Sequence, residues 1–131
     1  MTTITTSENK KIYFASDQHL GAPTPQASLP REKKFVAWLN VIKEDAGAVF
    51  LLGDLFDFWF EYKYVVPKGY VRLLGKLAEI TDDGIPVHMF RGNHDIWAFN
   101  YLTNFARGKI FFNFFAIVIT LTYHCHLMRN A

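Results

Sequence analysis

The chain has 131 residues, a length that suits one domain. Half of them are hydrophobic and 17% are aromatic, which is enough for a real core. A net charge of +2 does not demand nucleic acid, the single cysteine, Cys125, excludes an internal disulfide, and no apolar run reaches the length of a membrane span.

In chain order, residues 1–9 read as a flexible polar arm without the apolar stretch of a signal peptide, so a cytoplasmic chain is expected. Residues 11–16, KIYFAS, are apolar and β-rich and predict a first strand, which runs into Asp17-Gln18-His19. Asp17 and His19 are two apart, so on an extended segment they share a side. Residues 22–30 hold three prolines and read as a loop near the site. Residues 31–45 place Phe35, Val36, Trp38, Leu39 and Ile42 at helical spacing, and Gly47 follows as a stop. Residues 49–52, VFLL, predict a second, buried strand that ends at Gly53-Asp54, with Asp57 three residues on.

Residues 57–64, DFWFEYKY, are either a buried corner or an apolar lip beside a cleft. Pro67 leads to a second helix over residues 70–81, ended by Asp82-Asp83-Gly84. A third short strand over residues 87–90 terminates in Arg91-Gly92-Asn93-His94-Asp95. The order is βαβαβ, which predicts a parallel sheet with right-handed crossovers.

Each polar cluster alone is ordinary turn chemistry. Together, Asp17/His19, Asp54/Asp57 and Asn93/His94/Asp95 fall at three successive strand ends, which a parallel sheet brings to one edge. Oxygen and imidazole donors without thiolate favour Mn, Fe or Zn, and the set suits a pair of metals that activate water and clamp a phosphate. Asp54, on the middle element, is the candidate bridge. Asn93 offers a neutral ligand and a substrate contact. His94 is placed to serve a phosphoryl oxygen, with Asp95 orienting it.

These motifs resemble those of the calcineurin-like metallophosphoesterases. The segments YFASDQHLGAP, LLGDLFDFWFEYK, VVPKGYVRLLGKLAE and GNHDIW are most similar to one branch, the bacterial UDP-2,3-diacylglucosamine hydrolases, over about residues 10–101. The resemblance implies an α/β/β/α sandwich, of which this chain supplies mainly the first βαβαβ half. It implies hydrolysis of the pyrophosphate of UDP-2,3-diacylglucosamine, giving UMP and lipid X for lipid A synthesis. That chemistry would use two divalent metals, manganese first, at the cytoplasmic face of the inner membrane. By position, Asp17 and His19 would hold one metal, Asp54 would bridge and Asn93 would hold the second. His94 and Asp95 would assist at the phosphate.

Two features depart from that pattern. The later Gly-His and Gly-His-x-His motifs are not found, and residues 102–131 read as a divergent tail with candidate strands at 109–115 and 116–122. His124-x-His126 lacks the preceding glycine and reads as a coincidental pair. The chain is therefore expected to be a truncated or frameshifted first half. The alternatives are another calcineurin-like phosphodiesterase or phosphatase, and a catalytically inactive remnant.

Overall fold

A computed structural model describes residues 9–102. Its regular elements are strand β1 (Lys11–Ala15), helix α1 (Pro25–Ile42), strand β2 (Ala46–Leu51), helix α2 (Val71–Asp82) and strand β3 (Val87–Met89). The strands form one parallel sheet in the order β1-β2-β3. This is the βαβαβ order expected from the alternation of short apolar runs with helical stripes. The expected arm (apart from Asn9), the tail strands, His124 and His126 lie outside the described residues.

Register follows the side-chain alternation of the strands. Tyr13, Val49 and Val87 are aligned across the sheet, as are Ala15, Leu51 and Met89. These rows belong to the core, together with Leu39 and Ile42 of α1 and Leu73, Leu77 and Ile80 of α2. The two helices pack against each other as well. Burying one such leucine stabilises the fold by roughly 2 kcal/mol. The intervening row is aromatic: Phe14 stacks on Phe50 at 5.1 Å, and Phe50 on His88 at 4.7 Å.

Helix α1 begins six residues before the expected start at Arg31, inside the proline-bearing stretch read as a loop. The reason is local. Thr24 is an N-cap whose hydroxyl accepts from the Ala27 N–H, and Pro25 follows at the helix's first position, where its missing N–H costs nothing. Pro30, inside the helix, sits on its exposed side. The early start extends the buried stripe to Ser28, Glu32, Phe35, Leu39 and Ile42; Ser28 accepts a hydrogen bond from the loop that follows β1, and Glu32 accepts one from the Leu73 N–H at the start of α2.

Residues 57–64 are a buried corner at Trp59 and exposed on either side of it. Trp59 is fully buried against Phe56 and Tyr70, while Phe58, Phe60, Tyr62 and Tyr64 are exposed. Trp97 joins the exposed set, 6.0 Å from Phe58 and 6.2 Å from Phe60. Among the described residues, no helix is long and apolar enough to cross a membrane.

Candidate metal centre

The three loops beyond the sheet continue its parallel pairing. The N–H groups of Asp17, His19 and Leu20 donate to the carbonyls of Gly53, Asp54 and Leu55, at 3.2, 3.0 and 3.1 Å. On the other side, Trp59 N–H donates to the His94 carbonyl and Glu61 N–H to that of Trp97. The loops are thus zipped in the order of their strands. Asp17/His19, Asp54/Asp57 and Asn93/His94 come to one edge for that reason.

Asp17, His19 and Asp54 have φ of 54°, 41° and 51°, in the left-handed region. That region is unfavourable for residues with a Cβ, although Asp and His enter it more readily than most. β1 ends at Ala15, so the strand-alternation argument does not reach Asp17 and His19. The left-handed turns bring them together instead, with Oδ1 of Asp17 4.0 Å from Nε2 of His19. Ligand atoms of Asp17, His19 and Asp54 all lie within 4.8 Å of one another.

Asp57 completes a second group. Its Oδ1 is 3.5 Å from Nδ1 of His19 and 3.5 Å from Nδ1 of His94, and the two imidazoles meet edge to face at 4.6 Å. Ligand atoms of His19, Asp57 and His94 likewise lie within 4.8 Å of one another. Nδ1 of His94 is also 2.7 Å from the Asp57 main-chain oxygen. A carbonyl only accepts, so Nδ1 carries the proton and Nε2 is left for other work.

The sequence reading has Asp95 orient His94. In the structure Asp57 stands beside that imidazole, and Asp95 is buried and turned elsewhere. Its Oδ1 accepts from the N–H groups of Gly92 at 2.7 Å and Asp54 at 3.4 Å, and its Oδ2 from Leu55 at 2.9 Å. Asn93 is exposed on the same loop. Gly53 and Gly92 make the close approach of the two loops feasible: a Cβ on Gly53 would lie 2.7 Å from Gly92 N, and one on Gly92 only 2.1 Å from Oδ1 of Asp54.

Outside the loops, side chains of the helical layer pin the segment around His19. Arg31 donates to the carbonyls of His19 and Ala22, at 2.8 and 2.6 Å. Ser28 Oγ accepts from Gly21 N–H, and the Tyr70 hydroxyl donates to the Leu20 carbonyl. Burial pushes the Tyr70 hydroxyl pKa up, with the charges of Asp57 and Glu32 adding to it, so it stays a donor. No motif pointed to Arg31, Ser28 or Tyr70, because each acts through the main chain of residues far away in sequence.

The calcineurin-like phosphoesterase family model matches residues 10–128. The chain belongs to the calcineurin-like phosphoesterase family. Among its relatives is the UDP-2,3-diacylglucosamine hydrolase of Porphyromonas gingivalis, 50% identical over 93 residues, covering 71% of this chain and 36% of that protein. The proteins of the same name from Actinobacillus succinogenes and Vibrio vulnificus are 32% and 34% identical, over 65% and 63% of this chain and 34% and 32% of their own lengths. The chain thus spans about a third of the length of the curated relatives it matches.

A phosphoesterase of this family uses divalent metals, and the donor set fits them. Carboxylate and imidazole donors converge in two overlapping groups that share His19, and no thiolate is among them. Asp57 is a member of one group that the sequence reading left without a role, although its spacing from Asp54 was visible. The exposed aromatics Phe58 and Phe60 start immediately after it.

Proposed function

We propose that this phosphoesterase acts as part of a UDP-2,3-diacylglucosamine hydrolase. Asp17, His19 and Asp54 would hold one metal, and Asp54 with Asn93 the second, with manganese as the ion of choice. The observation that carries the reading is the convergence of Asp17, His19 and Asp54 beyond the sheet, in a chain 50% identical over 93 residues to a protein of that name. When bound, such metals supply an activated water and neutralise charge on a phosphate.

The chain's own residues do the remaining work. His94, with Nδ1 held by the Asp57 carbonyl, presents Nε2 to a phosphoryl oxygen. Asp57 Oδ1, 3.5 Å from the same Nδ1, helps fix the orientation of the ring. Asn93, exposed beside it, offers an amide to the same phosphate. The aromatic lip of Phe58, Phe60, Tyr62, Tyr64 and Trp97, with Lys63 over the Tyr64 ring, suits an acylated substrate at an anionic cytoplasmic membrane surface.

The test is calorimetric titration of Mn2+ into wild type and Asp54→Ala, with UMP release from UDP-2,3-diacylglucosamine followed in the same samples. An aryl phosphodiester serves as the competing substrate. Binding and UMP release in wild type, both lost in Asp54→Ala, with the aryl ester a poor substrate, is the expected result. Mn2+ binding indifferent to Asp54 would overturn the assignment of the centre. Preference for the aryl ester would overturn the substrate.

A further inference from the structure

We infer that Asp95 is a positioning residue: its carboxylate staples the Asp54 loop to the Asn93 loop and thereby sets the spacing of the metal ligands. The inference deepens the proposed function and rests on it.

The side chain is 3% exposed, and a carboxylate so buried is costly unless its lone pairs are satisfied. Here three main-chain N–H groups satisfy it, from Asp54 and Leu55 after β2 and from Gly92 after β3. Charge-assisted bonds of this kind are roughly twice as strong as neutral ones. They act where the loops touch most closely, since neither Gly53 nor Gly92 has room for a Cβ. The Asp54 and Leu55 bonds cross the gap between the loops, and a third crosses it in the opposite sense, from His94 N–H to Oδ1 of Asp54 at 2.9 Å.

Asp54 is therefore held at its main chain by Asp95 and at its carboxylate by the loop that carries Asn93 and His94. The polar contacts of the His94 ring are with Asp57, so Asp95 does not act through that imidazole. Only a group with two accepting oxygens serves all three donors. An asparagine would turn its NH2 toward at least one N–H and leave that donor without an acceptor.

The experiment compares wild type, Asp95→Asn and Leu77→Ala, the last a core truncation in α2 that lowers stability without touching the loops. Two readouts are taken: amide hydrogen exchange of residues 54, 55 and 92 in metal-free protein, and Mn2+ affinity by calorimetry. The expected result is loss of protection at those three amides in Asp95→Asn, with affinity weakened roughly 10–100-fold, the usual effect of removing an outer-shell partner. Leu77→Ala keeps both the local protection pattern and the affinity.

Unchanged protection in Asp95→Asn would overturn the staple. Lost protection with unchanged affinity would overturn its positioning role. A wild type that binds no Mn2+ would overturn the proposed function and the positioning role with it, while the amide readout still decides the staple separately. Should Asp95→Asn fail to fold, Asp95→Ser replaces it, since a hydroxyl reaches at most one or two of the three donors, and the same outcomes decide.

Discussion

The main-chain N–H of His94 donates to Oδ1 of Asp54 at 2.9 Å, joining the loop after β3 to the carboxylate on the loop after β2. One lone pair of Asp54 is thereby committed to the protein, which fixes the carboxylate's orientation. Asp54→Asn keeps a carbonyl oxygen for that bond, and Asp54→Ala does not. The alanine variant should lose about 1 kcal/mol of stability, the usual worth of such a bond, and the asparagine variant much less. Both should lose Mn2+ affinity, because neither retains the charge. Thermal melts and calorimetry on the pair separate the two effects; equal stability losses would show that the bond contributes nothing.

Gly92 and Gly75 make opposite predictions for the same substitution. A Cβ on Gly92 would overlap Oδ1 of Asp54 at 2.1 Å and its main-chain N at 2.5 Å, so the loops must part. Gly92→Ala should cost about 1–3 kcal/mol, the range for overpacking, and weaken Mn2+ binding. Gly75 lies in α2 with open space around it. Gly75→Ala should stabilise by about 0.5–1 kcal/mol through helix propensity and leave the metal affinity unchanged. Urea unfolding of both variants checks the contrast.

Much of this arrangement was legible in the sequence, for a physical reason. Short apolar runs ended by glycine, alternating with helical stripes such as Leu73-Leu74-Leu77-Ile80, admit few folds other than parallel βαβ units. Once the sheet is parallel, Asp17, Asp54 and Asn93 must share an edge. Less was visible of what holds that edge together. The left-handed backbone at Asp17, His19 and Asp54 and the Asp95 carboxylate under three N–H groups depend on the packing of loops distant in sequence. The helical reading failed at Pro25, where proline opens a helix instead of breaking one.

Metal removal should be visible in stability alone. Asp17, Asp54 and Asp57 crowd like charges around two imidazoles, and a bound cation relieves that repulsion. A ligand at one hundred times its Kd stabilises the folded state by about 2.7 kcal/mol. Mn2+ should therefore raise the melting temperature of wild type, EDTA should reverse the rise, and Asp54→Ala should show neither change.

Glu61 gives the molecule a pH dependence outside the metal centre. Its carboxylate accepts from Trp59 Nε1 at 3.0 Å and from the N–H groups of Asn100 and Tyr101 at 2.6 and 3.0 Å, tying the aromatic segment to the end of the described chain. Burial favours the neutral acid, but the hydrogen bonds outweigh it and hold the carboxyl below its ordinary value of 4.5. A depressed carboxyl contributes stability that is fully present above the unfolded value and is lost as pH falls through the folded one. Glu61→Gln removes the charge and turns a donor toward these N–H groups, so at pH 7 it should cost about 1–2 kcal/mol. Below pH 4.5 the unfolded chain takes up the proton first, so the gap should narrow as pH falls and close once the folded carboxyl is protonated as well. Urea unfolding of both proteins at pH 7 and pH 3 measures it. A gap of equal size at the two pH values would mean that the Glu61 contacts do not depend on its charge.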